Sequence, residues 1–61
     1  MRLLSLKSVS EMTSLSATSI RDLVRAGRFP RPIKVPGLRR SAWSEAEVTQ
    51  WIEARLAERA A

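Results

Sequence analysis

Three prolines, Pro30, Pro32 and Pro36, stand close together in the middle of this 61-residue chain, and Gly37 follows the last of them. Proline lacks an amide proton and its ring collides with the preceding helical turn, so no helix runs through this segment. The chain is thereby divided: helices are confined to the stretches before and after it, and the centre is extended. A chain of this length holds one domain with one small core. The reading is a single domain over residues 1–61, with its core at 3–58 and a frayed tail at 59–61.

Within the extended centre, Ile33-Lys34-Val35 alternates like a short strand. Pro36-Gly37 matches the two central positions of a type II turn, the second of which needs a positive φ. A second strand is expected from about Arg39 to Trp43. The prolines restrict the first strand to an edge. The centre therefore reads as a two-stranded hairpin.

On the N-terminal side, Ser5 is a candidate N-cap for a first helix over about residues 6–12, in which Leu6, Val9 and Met12 recur at helical spacing. Thr13-Ser14-Leu15-Ser16 then makes a turn with Leu15 pointing inward. Ser16 is placed to cap a second helix, where Ile20, Leu23 and Val24 form an apolar stripe. Thr18, Arg21, Asp22 and Arg25 fall on the opposite side. Gly27 is expected to end this helix in a left-handed conformation. On the C-terminal side, Ser44-Glu45-Ala46-Glu47 has the spacing of a capping box, and its two glutamates suit the helix dipole. Val48, Trp51, Ile52 and Leu56 continue as one face of a third helix. Trp43, Trp51 and Phe29 are read as core residues, with Phe29 beneath the hairpin.

Composition narrows the chemistry. Neither cysteine nor histidine is present, which removes disulfides, thiolates and the common zinc ligand sets, together with the usual carriers of nucleophilic and general acid–base catalysis near neutral pH. The expectation is a non-enzyme with no catalytic residues, no cofactor and no metal. The apolar run after Met1 stops at Ser5, too short for a secretory core or a membrane span, so a cytoplasmic protein is expected.

Charge points to a partner. The net charge is +5, and it is concentrated. Residues 21–40 carry Arg21, Arg25, Arg28, Arg31, Lys34, Arg39 and Arg40 against Asp22 alone, whereas residues 41–61 carry Arg55 and Arg59 against four glutamates. Two short helices joined by a tight turn, the second with a polar, arginine-bearing outer row, then a basic hairpin, read as a winged helix-turn-helix: mainly α, about three helices plus a two-stranded wing. A helix fits the major groove, where arginine and small hydroxylated residues reach base edges, and a basic hairpin meets flanking phosphates. The residues so assigned to duplex DNA are Ser16, Thr18, Ser19, Arg21, Asp22, Arg25, Arg28, Arg31, Lys34, Arg39 and Arg40. Arg21 is expected to favour a cognate site over random duplex. Lys7 and Ser8 open the first helix, whose N-terminus is a further place for a phosphate. A basic face bound to an acidic protein partner is the competing reading from a different class.

Several stretches are also familiar. Leu15-Ser16, the run from Ile20 to Val35 with its Gly27-Arg28-Phe29-Pro30 step, and Trp43 to Ile52 resemble the small AlpA-like prophage regulators, a family within the MerR-like and excisionase-like winged-helix group. The resemblance covers about residues 3–58. It implies a bacterial or phage regulator that binds DNA and acts on transcription, often of an integrase gene. An alternative role in that group is an excision factor that bends attachment-site DNA and recruits an integrase. Implied partners are double-stranded DNA and an integrase or a second copy on DNA, with no membrane and no small-molecule substrate. The chain departs from the family pattern at Ser14, where a turn glycine is common, at Ala17, commonly polar or basic, and at Arg21, commonly tyrosine. The last two lie on the expected recognition helix, so no relative's target sequence carries over.

Overall fold

The computed structural model describes residues 2–34, 36–37 and 40–60. In chain order the elements are β1 (Leu3–Leu4), α1 (Leu6–Thr13), α2 (Ala17–Arg25), β2 (Ile33–Lys34), β3 (Ser41–Ser44) and α3 (Glu45–Ala60). Three helices and a small antiparallel sheet form the winged-helix arrangement expected from the sequence.

Local chemistry accounts for the helix starts. Ser5 lies in extended backbone, and its Oγ accepts from the Ser8 amide at 3.1 Å. Ser16 does the same for α2, accepting from the Ser19 amide at 3.1 Å. Each serine satisfies one amide that the first turn leaves without an acceptor. For α3, Ser44 Oγ accepts from the Glu47 amide at 3.3 Å, and the Glu45 amide donates to the Arg2 carbonyl at 2.9 Å. The second of these comes from the opposite end of the chain.

The sheet is larger than a hairpin. Its order is β1-β3-β2, so β3 is central. Leu3 and Leu4 pair with Ser44 and Trp43, while Ile33 and Lys34 pair with Ala42 and Ser41. Strand β1 is absent from the sequence reading because two leucines carry no alternation by which to recognise a strand. The central strand also starts at Ser41, later than the expected Arg39, and Arg40 precedes it. Gly37 has φ 81°, as the second central position of a type II turn requires. The expectations for Val35, Leu38 and Arg39 fall outside the described residues.

The buried core takes one residue from almost every segment: Leu4 from β1, Val9 from α1, Ile20 from α2, Phe29 from the loop after it, Trp43 from β3 and Val48 from α3. Leu6, Leu15, Leu23, Val24, Trp51 and Ile52 pack around them. Because every element except β2 contributes to the same cluster, the orientation of each helix depends on the others. Helix α3 continues to Ala60, well beyond its last core contact, and Leu56 on it is half exposed.

Candidate nucleic-acid interface

Helix α2 is held at both ends. At its C-terminus Gly27 adopts φ 74°, the Gly27 amide donates to the Val24 carbonyl at 3.0 Å, and the Arg28 amide donates to the Leu23 carbonyl at 2.8 Å. These two bonds make a complete Schellman cap. The extended residues that follow have their carbonyls taken by tryptophans. Trp51 Nε1 donates to the Arg28 carbonyl at 2.7 Å, and Trp43 Nε1 donates to the Pro30 carbonyl at 3.0 Å. Phe29 lies between them, edge-on to Trp51 with ring centroids 4.8 Å apart. So α3 and β3 both grip the loop that links α2 to the wing. Trp43 is a core residue, as the sequence reading has it, and Trp51 packs against the core half-buried; their N–H groups also fix this loop, a role that the spacing of apolar residues does not disclose.

The outer row of α2 is free. Thr18, Arg21, Asp22 and Arg25 are all exposed, opposite buried Ile20. Ser16 and Ser19 serve the cap: besides accepting from the Ser19 amide, Ser16 Oγ donates to Ser19 Oγ at 3.0 Å. On the wing side, Arg31, Lys34 and Arg40 are exposed. Arg39 lies outside the described residues.

Electrostatically the two ends of the domain differ. Among the described residues the ion pairs are Arg2–Glu45 at 3.5 Å and Arg55–Glu58 at 2.8 Å. Neither uses a residue between 21 and 40, and Asp22 is paired with neither Arg25 nor a described wing cation. The basic segment therefore keeps its positive charge available to a ligand.

These cations do not form a single patch. A cleft of about 560 Å³ is lined by Ser5, Leu6, Lys7, Arg21, Val24, Pro32, Arg40, Ser41 and Trp43. It unites the start of α1, the outer side of α2 and the wing. Arg28 lines another cleft with Leu23, Gly27, Phe29, Arg55 and Glu58, on the α3 side. Sequence reasoning left Lys7 out of the DNA-binding set and placed it at a helix start that offers a further place for a phosphate, apart from α2 and the wing. No local pattern joins it to its cleft partners, because Arg21 lies on α2 and Arg40 just before β3.

The fold and this exposed basic face define a small winged helix-turn-helix domain. Residues 2–56 match the model of a family described as "Prophage CP4-57 regulatory protein (AlpA)", and the chain belongs to that family of prophage regulatory proteins. It is also 36% identical over 58 residues to "Uncharacterized protein ORF88" of Enterobacteria phage P4. That alignment covers 95% of this chain and 65% of the phage protein, so the chain spans less than two thirds of its relative's length. No helix among the described residues is long and apolar enough to cross a membrane.

Proposed function

We propose that the protein is a sequence-specific duplex-DNA-binding regulator of prophage gene expression, acting in the cytoplasm without catalysis of its own. The observation that carries this reading is the juxtaposition of an exposed polar row on α2 with a wing whose described cations are free of ion pairs. Helix α2 enters the major groove. Thr18, Asp22 and Arg25 face base edges there, Arg25 toward guanine and Asp22 toward cytosine amino groups. Lys34 and Arg40 hold the flanking backbone, and Ser16 and Ser19 set the helix start that approaches it. A domain this small spans few base pairs, so two copies occupy adjacent half-sites, or one copy binds beside an integrase.

The test is binding to random-sequence duplex across a salt series, then to a site selected from a random pool. If about five phosphates are neutralised, the log–log salt slope on random duplex is near −4.5. Arg25→Ala is expected to cost about 1–3 kcal/mol on the selected site and far less on random duplex. A slope near zero would overturn the proposal in favour of an acidic protein partner. In a lysogen, a footprint upstream of an integrase promoter is the expected result. Protection confined to attachment-site arms would move the protein to the excision role.

A further inference from the structure

We propose that the cleft between α1, α2 and the wing is a clamp for a single backbone phosphate, with Lys7, Arg21 and Arg40 as its three cationic walls. The inference rests on the DNA-binding reading above and deepens it. It adds Lys7 to the interface, and it assigns Arg21 to the backbone in place of the base contact that its position on α2 suggests.

Three cations from three elements converge here. Lys7 is in the first turn of α1, Arg21 is on α2, and Arg40 immediately precedes β3, and all three are exposed while lining the same space. Like charges gathered without a counter-ion repel one another, and an anion between them removes that cost. Among the described residues no acidic side chain lines the cleft to serve as that anion. Leu6, Val24, Pro32 and Trp43 also line the cleft and set apolar surface beside the cations. The Leu6 and Lys7 amides belong to the first turn of α1, where an amide has no acceptor within the helix, and the Ser8 amide is already taken by Ser5. Ser41 adds a hydroxyl.

Size points to a phosphodiester in preference to a bare anion. The cleft, about 560 Å³ and open on one side, has room for more than one small anion, since a single water needs only about 10–15 Å³ of such space. A phosphate at the cationic walls leaves room for its flanking deoxyribose against Pro32 and Val24. Such a clamp ties the recognition helix and the wing to one point on the strand, which sets the register from which Thr18, Asp22 and Arg25 reach the bases.

Counterion release tests this directly, because the salt slope counts neutralised phosphates and not cations. The full chain and its Lys7→Ala, Arg21→Ala, Arg40→Ala and triple variants are titrated with a random-sequence 20-base-pair duplex over a salt series. Thermal melts of each variant confirm folding, which is expected since all three side chains are exposed. Each single variant should bind about tenfold more weakly at low salt, the loss of one charge-assisted hydrogen bond. The triple variant should flatten the slope by only about 0.9, the contribution of one phosphate. A flattening of roughly 2.7, one phosphate for each cation, would overturn the clamp while leaving DNA binding intact. So would an unchanged affinity for Lys7→Ala. No salt-dependent binding by the unmodified chain would overturn the DNA reading and the clamp together.

Discussion

Helices α1 and α2 end in the same backbone conformation but not with the same residue. The residue after α1 is Ser14 at φ 61°, and Gly27 closes α2 at φ 74°. For an L-residue with a Cβ the left-handed region costs about 1–2 kcal/mol, and for glycine it costs almost nothing sterically. The two ends are therefore held differently. At Gly27 the backbone closes itself through two Schellman bonds. At Ser14 the surrounding side chains impose the turn: Thr13 Oγ1 donates to the Val9 carbonyl at 2.8 Å and accepts from the Leu15 amide at 3.3 Å, and Ser10 Oγ donates to the Leu15 carbonyl. With Leu15 packed against the core on one side, the chain has little freedom to relax. Packing and side-chain hydrogen bonds thus enforce the turn between α1 and α2, whereas the cap of α2 is closed by its own backbone, and side chains grip only the loop beyond it.

The largest effect expected is that of Phe29→Ala, which empties the packing around the loop beyond the Gly27 cap. A buried phenylalanine truncated to alanine costs about 3–5 kcal/mol. A chain of this size has a total stability of only about 3–9 kcal/mol, so calorimetry should show a transition that is lost or greatly lowered. Gly27→Ala comes next. No atom lies within 4 Å of the added Cβ, so the expected cost is conformational alone, about 1–2 kcal/mol. If denaturant melts showed no change, the left-handed cap would be dispensable. Trp51→Phe keeps the ring beside Phe29 and removes the bond to the Arg28 carbonyl. A loss of about 0.5–1.5 kcal/mol is expected in the same melts, because that carbonyl is near enough to the surface to turn to water.

The smallest effect has the opposite sign. Ser14→Gly relieves the left-handed cost but adds freedom to the unfolded chain, for a net gain of about 0.5–1 kcal/mol. In a domain of this size that raises Tm by roughly 2–8 °C, with duplex affinity unchanged. A drop in Tm would mean that the serine is not strained, and the contrast between the two helix ends would collapse.

Much of the fold is legible in the sequence because its signals are local. Ser5, Ser16 and Ser44 announce helix starts, Gly27 and Pro36-Gly37 announce the turns, and the apolar periods of α2 and α3 assign their buried faces. Each depends on neighbours a few positions away, although the same periodicity also places Met12 and Leu56 on apolar faces, and the structure leaves both exposed. The exposed row Thr18, Arg21, Asp22 and Arg25 follows from the same periodicity that buries Ile20. The AlpA-like stretches carry the family, and residues 2–56 match its model.

What the tertiary structure alone decides is pairing between distant residues. Strand β1 exists because Leu3 and Leu4 meet Ser44 and Trp43, and because the Arg2 carbonyl accepts from the first amide of α3. Nothing in two leucines near a chain start specifies that partner. The indole bonds to the Arg28 and Pro30 carbonyls belong to the same kind. So does the meeting of Lys7, Arg21 and Arg40 around one cleft. The number of helices, the centre of each buried face and the sign of the charge between them are properties of short windows, and so are legible without the fold. Which cations share a cleft depends on how helices and strands are oriented around Leu4, Val9, Ile20, Phe29, Trp43 and Val48, and that orientation comes from burying all six together.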